Sequence, residues 1–302
     1  MSIQIIPSSL IDKARWDACV TSSGNGLIYA NSGYLDAMAD NWSGVVVGDY
    51  EAVMALPWRR KWGITYLYTP PFTQQLGLIG EASVTMNELK QQIINLANYG
   101  DYLFNYENSG LVDSLKAESC NNYFIDLQRS YEEIKGAYRK SFQKNVNRAS
   151  HQELFYSNSS DVDEATALFY QYNKTNIGHV EPATMARFTQ LCKQLQQSEK
   201  VIIRKVTNTE GALLSIVLLL TDEKRYYNII NFTSDAGRQC ESNYFLYDQL
   251  FKELAGCGKL FDLEGSDLPG VKAFYESMGG LNQPYTHWHY NELPSFLKLI
   301  KK

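Results

Sequence analysis

The chain has 302 residues, 44% hydrophobic and 20% charged, the balance of an ordinary folded protein with room for two domains. A net charge of −5 argues against a protein that coats DNA or other nucleic acid. The longest apolar run, residues 212–220, is far too short to span a bilayer, and the N-terminus lacks the basic-then-apolar order of a signal peptide.

In chain order, residues 3–6 read as a short strand and residues 9–20 and 31–41 as helices. Strands are expected at 45–50 and 52–58, with another opening at 65–68. Residues 85–99 form an amphipathic helix with Leu89, Ile93, Ile94 and Leu96 on its apolar side. A strand at 102–106, a short helix at 112–117 and a strand at 123–127 complete the first half.

Ser130-Tyr-Glu-Glu133 is a capping box that opens a helical segment. Beyond it Lys140, Lys144 and Arg148 recur every four residues on one face, while Tyr138, Phe142 and Val146 form the opposite, apolar face. A solvated basic face and an anion-binding face both fit this stripe.

Helices are expected at 162–176 and 183–197. Strands follow at 201–206, 212–220 and 225–232, then a polar loop over 233–241 and a helix over 242–255. Residues 260–264 read as a strand, and a helix begins at Pro269, a residue suited to a first turn. It ends at Gly279 and Gly280, which suit a C-terminal cap. A strand at 285–290 comes last. The two halves share one order of elements without detectable residue identity.

That order resembles the GCN5-related N-acetyltransferase (GNAT) fold. Three segments resemble its Fem-type (FemABX) branch: the basic helix from Tyr138 to Ala149, the stretch Gly237-Arg-Gln-Cys-Glu-Ser-Asn-Tyr-Phe-Leu-Tyr-Asp248, and Phe261-Asp-Leu-Glu-Gly-Ser266 with the helix after it. The resemblance implies an α+β (mixed α/β) chain of two tandem GNAT-like domains, each a twisted, mainly antiparallel sheet flanked by helices. The expected bounds are 1–128, for a first domain without a donor site, and 129–302, with residues 291–302 packing back on the first domain.

Fem-type proteins move an amino acid from aminoacyl-tRNA onto an amine of a peptidoglycan precursor, and relatives use acyl-CoA. The resemblance therefore implies an acyltransferase with its site in the second domain and the inter-domain cleft. It leaves the donor open between acyl-CoA (acetyl-CoA) and aminoacyl-tRNA. The acceptor is then a peptidoglycan precursor or another small molecule. Fem-type enzymes tend to carry Phe-Lys where this chain has Phe274-Tyr275, which weighs against the tRNA donor. Two rivals stand beside this reading: a conventional acetyl-CoA N-acetyltransferase of a small amine or sugar nucleotide, and a catalytically silent binding module.

Acyl transfer to an amine needs a base, an acid for the leaving group and donors for the oxyanion. Asp262 and Glu264, at alternate positions of one strand, are the expected base or amine-binding pair. Turn-capping carboxylates explain them equally well. Tyr275 stands where the family's lysine would and is the candidate acid. The resemblance gives Asn228, Asn231, Arg238, Ser242 and Asn243 to the donor site, although Ser242 also suits a helix N-cap. Arg59 and Arg60, with Tyr68, Phe72 and Gln74 in the next loop, could hold the acceptor, as could Lys140, Lys144 and Arg148. The five cysteines, at 19, 120, 192, 240 and 257, show no metal-ligand spacing, and with them a reduced, cytoplasmic protein is expected. His287 and His289 alternate on one strand but have no evident third ligand, so no metal is expected.

Overall fold

The computed structural model describes residues 2–172, 180–265 and 267–298, and divides the chain into two compact units. Ser266 and the C-terminal end of the helix expected over 162–176 lie outside the described residues. Among the described residues, no helix is long and apolar enough to cross a membrane.

The first unit opens with β1 (Ile3–Pro7), α1 (Lys13–Ser22) and α2 (Ser32–Met38). The expected helix at 9–20 starts later, because the Asp12 carboxylate accepts from the Arg15 N–H and caps the helix there. Then follow β2 (Trp42–Val47), β3 (Ala52–Lys61), β4 (Ile64–Leu67), β5 (Leu78–Gly80), α3 (Met86–Leu96), β6 (Tyr99–Phe104), α4 (Ser109–Val112) and β7 (Glu118–Cys120). Thr85 and Glu88 form a capping box that fixes the start of α3, and Leu89 and Ile93 are buried on its inner face.

The second unit comprises β8 (Tyr123–Asp126), α5 (Tyr131–Gly136), α6 (Lys140–Ala149), β9 (Phe155–Ser159), α7 (Val162–Tyr172), α8 (Pro182–Gln197), β10 (Val201–Thr207), β11 (Leu213–Thr221), β12 (Arg225–Thr233), α9 (Asp235–Gln239), α10 (Ser242–Leu254), β13 (Leu260–Asp262), α11 (Pro269–Ser277) and β14 (Leu281–Asn282). Its sheet runs β14-β8-β13-β12-β11-β10-β9. Every neighbouring pair is antiparallel except β12 and β13, which are parallel. Tyr138, Phe142 and Val146 turn into its core, as their spacing predicts. The Ser130–Glu133 capping box forms and opens α5. Gly279, at φ 85°, follows the last turn of α11 in the left-handed region that suits a helix end.

The chain then returns to the first unit through β15 (Tyr285–Asn291) and α12 (Ser295–Lys298). The first sheet is thus β1-β2-β3-β4-β6-β15-β7, with β5 on β3. Two tandem, mainly antiparallel sheets flanked by helices match the expected fold class. The bounds of the two units differ from the expected division at 128. The first unit ends at Cys120 rather than at 128 and regains the chain from Pro284. Each unit has taken one strand read as the other's: β8 pairs with β13 and β14, and β15 pairs with β6 and β7. A strand's alternation specifies which face is buried, not which sheet it joins.

Candidate active site

The site grows from a fork in the second sheet. β12 and β13 pair only through Arg225–Leu260, Tyr226–Phe261 and Tyr227–Asp262. β13 stops at Asp262 while β12 continues to Thr233, so the later half of β12 leaves the parallel ladder. In the same stretch β12 bulges against β11: Leu218 faces Ile230 and Leu220 faces Tyr227, with the register shifting between them. Strict alternation would send Asn228 and Asn231 to opposite faces; the extra residue returns them to one. Both amides reach the Tyr247 hydroxyl of α10, at 2.7 Å from Asn228 Nδ2 and 3.2 Å from Asn231 Nδ2. Asn231 Nδ2 also donates to Asn243 Oδ1 at 3.1 Å.

This amide cluster backs onto a cavity of about 330 Å³. Asn231, Phe232 and Thr233 of β12 form one wall, Gly237, Arg238, Glu241, Asn243 and Tyr244 the helical corner, and Tyr172 and Phe274 the remainder. The corner differs from the loop expected over 233–241. Ser234 caps the short helix α9, and Glu241, in the left-handed region at φ 58°, turns the chain into α10. Ser242 is therefore the first residue of the helix rather than its N-cap. Its hydroxyl is buried against that of Ser215, and the residue does not line the cavity. Gly237 permits this packing: a Cβ there would lie 2.3 Å from the Leu214 carbonyl oxygen and 2.6 Å from Ser242 Oγ.

Charge at the corner is balanced locally. Glu241 pairs with Arg148 Nη1 at 2.9 Å, and Arg238 pairs with Asp235 at 3.1 Å. Arg148 also lines a second hollow of about 390 Å³ with Lys140, Gln143, Lys144, Asn147 and His151. The basic stripe therefore forms one surface whose end meets the Glu241 carboxylate.

Of the expected carboxylate pair, Asp262 is the one held by an arginine. Asp262 is 1% exposed and accepts from Arg225 Nη1 at 2.9 Å, Asn122 Nδ2 at 3.2 Å and the Glu264 N–H at 3.0 Å. Burial pushes this carboxyl up while Arg225 pulls against it. Asp262 is thus the counter-ion of a buried arginine. Glu264, at φ 57°, follows the end of β13, and its N–H is one of the donors to Asp262. Tyr275, partly buried against the core, has its phenol pushed up first by burial and then by Tyr247, Glu264 and Asp262. It therefore holds its proton at neutral pH.

In the first unit, Arg59 lies 4.0 Å over the Tyr68 ring and pairs with Asp40 at 2.6 Å, and the Tyr68 hydroxyl accepts from the Asp40 N–H. Gln74 accepts from Gln75, and the Phe72 carbonyl from the Tyr34 hydroxyl. These four residues hold their own loops, and Arg60 is exposed at the β3–β4 hairpin. His287 and His289 both hydrogen-bond Asp101 Oδ1, at 3.0 and 2.9 Å.

Tyr247 and Arg225 escaped the sequence reading. Tyr247 had a signal, since it stands four residues after Asn243 on the same helical face. Arg225 had little more than its position as a lone cation opening an apolar strand.

No protein-family model matches the sequence, and no curated protein does. Solved structures do. FemX aligns over 100% of both chains with a TM-score of 0.72 at 12% identity. The C-terminal domain of an Agrobacterium fabrum protein assigned as a lysylphosphatidylglycerol synthetase aligns over 96% of this chain and 95% of its own, with a TM-score of 0.59 at 11% identity. L-PGS from Bacillus licheniformis aligns over 96% and 95%, with a TM-score of 0.56 at 12% identity. The chain shares with FemX a fold of two tandem GNAT-like sheets. At such identities the likeness extends to the fold alone.

Proposed function

We propose that the chain is a Fem-like N-acyltransferase. It takes an acyl or aminoacyl group from a donor held at the α10 corner of the second unit and passes it to an amine. The observation that carries this reading is the fork: a β12 edge released from its parallel neighbour, with a cavity and an amide cluster at the released stretch. An extended acyl donor can add its amide groups to such an edge. The amine nitrogen attacks the carbonyl carbon, a C–N bond forms, and the bond to the donor's sulfur or ester oxygen breaks. The proton lost by the amine is balanced by one gained on the leaving atom. Tyr275 supplies the latter, and Glu264 takes the role of base that Asp262 cannot fill.

Glu241 separates the two donors. Its carboxylate, at the start of α10, opposes a pyrophosphate that would otherwise favour a helix N-terminus. An aminoacyl group brings an ammonium that it would attract. The acceptor follows the resemblance: an amine of a peptidoglycan precursor or of another small molecule, in the cytoplasm. Titration calorimetry with acetyl-CoA and with 3′-alanylamino-3′-deoxyadenosine, a stable mimic of an aminoacyl-tRNA end, tests the reading. Saturable binding of either, abolished by Tyr244→Ala, supports it. Binding of neither, or binding insensitive to that substitution, overturns it.

A further inference from the structure

We infer that the β3–β4 hairpin docks the first unit on an anionic phospholipid surface, with Trp62 in the headgroup layer and Arg60 and Lys61 on the lipid phosphates. This stands apart from the acyl-transfer reading. β3 and β4 pair from Trp58–Leu67 to Lys61–Ile64, so Trp62 and Gly63 form a two-residue turn. Both lie at positive φ, 52° and 79°. That combination marks a type I′ hairpin turn, whose first position favours Asn, Asp or Gly, and a bulky side chain there is disfavoured. Trp62 is nevertheless 78% exposed, whereas Trp16, Trp42 and Trp288 are buried and the Trp58 indole donates to Ser43 Oγ. A lone exposed apolar residue is ordinary. A tryptophan held out of the fold, at a turn position it fits badly, breaks a local rule with no gain inside the fold, as functional positions do.

The tip is also basic. Residues 60–63 are all exposed and carry two cations and no carboxylate, in a chain of net charge −5. Arg59 is held by Asp40, but among the described residues Arg60 and Lys61 form no ion pair. Tryptophan settles at the headgroup level of a bilayer, its ring in apolar surroundings and its N–H wet, and neighbouring cations meet anionic headgroups. Lys61 Nζ lies 4.9 Å from the centroid of the Trp62 ring. One face of the ring is thereby covered, which disfavours the rival use of such a tip, the stacking of a nucleobase. Leu10, 74% exposed, follows β1 at the same end of the sheet, where Pro7 faces Ser43 and Ser43 faces Leu56. The two most exposed large apolar side chains described in the first unit thus stand at one end of its sheet. With no described helix long and apolar enough to cross a membrane, the contact is with the surface of the bilayer.

The test is co-flotation of the full chain with vesicles, read together with tryptophan emission. One set of vesicles is phosphatidylcholine alone, the other equal parts of phosphatidylcholine and phosphatidylglycerol, and a single-stranded RNA oligonucleotide is the third probe. The wild type should float with the phosphatidylglycerol vesicles, and its emission should shift to the blue as Trp62 leaves water. Arg60→Gln/Lys61→Gln should partition roughly fivefold more weakly per cation removed. Trp62→Asn should lose both flotation and blue shift, yet melt at the wild-type temperature or above, because Asn-Gly suits the turn. Flotation that Trp62→Asn leaves unchanged overturns the inference. So does equal partition to the two kinds of vesicle, absence of flotation with either, or binding of the RNA without binding of vesicles.

Discussion

Replacing Asp262 with asparagine separates a structural carboxylate from a catalytic one. Asp262 and Arg225 side chains are 2% and 3% exposed and meet at 2.9 Å. Asn122 and Gln283 complete the network, Asn122 through Asp262 and the Gly265 N–H, Gln283 through Arg225 Nη2. The substitution leaves the guanidinium buried without its counter-ion, at a cost of about 3–5 kcal/mol. For a unit of this size the melting transition then falls by roughly 6–20 °C, at about 2–4 °C per kcal/mol. Arg225→Met alone should cost a comparable amount. The double variant Arg225→Met/Asp262→Leu, which removes both charges, should recover most of it. The assay is thermal and urea unfolding of the four proteins. An Asp262→Asn protein that melts with the wild type yet has lost turnover would refute the reasoning and return Asp262 to the role of base.

Glu241→Gln removes the carboxylate from the α10 corner and should tighten CoA binding severalfold while weakening the aminoacyl mimic, as read by calorimetry; equal affinities before and after would remove Glu241 from the donor site. Arg148→Ala breaks an ion pair whose arginine is 59% exposed, so stability should change by no more than about 1 kcal/mol. Lys144→Ala should likewise leave the fold intact. Both should weaken donor or acceptor binding, and unchanged binding in both would take the basic stripe out of the site. Gly237→Ala forces a Cβ against the Leu214 carbonyl and should cost about 1–3 kcal/mol in urea unfolding. Glu253 accepts from Arg204 Nε at 2.9 Å, and that hydrogen bond holds its carboxyl below the ordinary 4.5. A depressed carboxyl stabilises the fold above its unfolded pKa and loses that contribution as pH falls through the folded value. Glu253→Gln should therefore flatten the acid side of the stability profile below about pH 4.5, and an unaltered profile would contradict the assignment.

The elements most legible in the sequence were those whose signals are local. The capping box at Ser130, the proline opening α11 and the apolar face of α6 follow from residues within a few positions of one another. Three things were not local. The exchange of β8 and β15 between sheets depends on pairings more than a hundred residues apart, such as Phe261 with Ile125. The shared face of Asn228 and Asn231 depends on a bulge that their own spacing argues against. The fate of Asp262 depends on Arg225, 37 positions earlier, and on the end of β13 just where alternation was expected to continue. Asn231, Arg238 and Asn243 did converge on one cavity, because the resemblance placed them by topology. Ser242 did not, because the turn at Glu241 makes it the first residue of α10 with its hydroxyl against Ser215.

The most direct test of an acyl-donor site in the second unit is thermal unfolding with acetyl-CoA, CoA, the aminoacyl mimic and a UDP-sugar peptide precursor, each at saturation. A ligand present at 100 times its dissociation constant stabilises by about 2.7 kcal/mol. The account predicts such a shift with acetyl-CoA or the aminoacyl mimic, lost in Tyr244→Ala. No shift with either donor, or one that Tyr244→Ala leaves untouched, would contradict it.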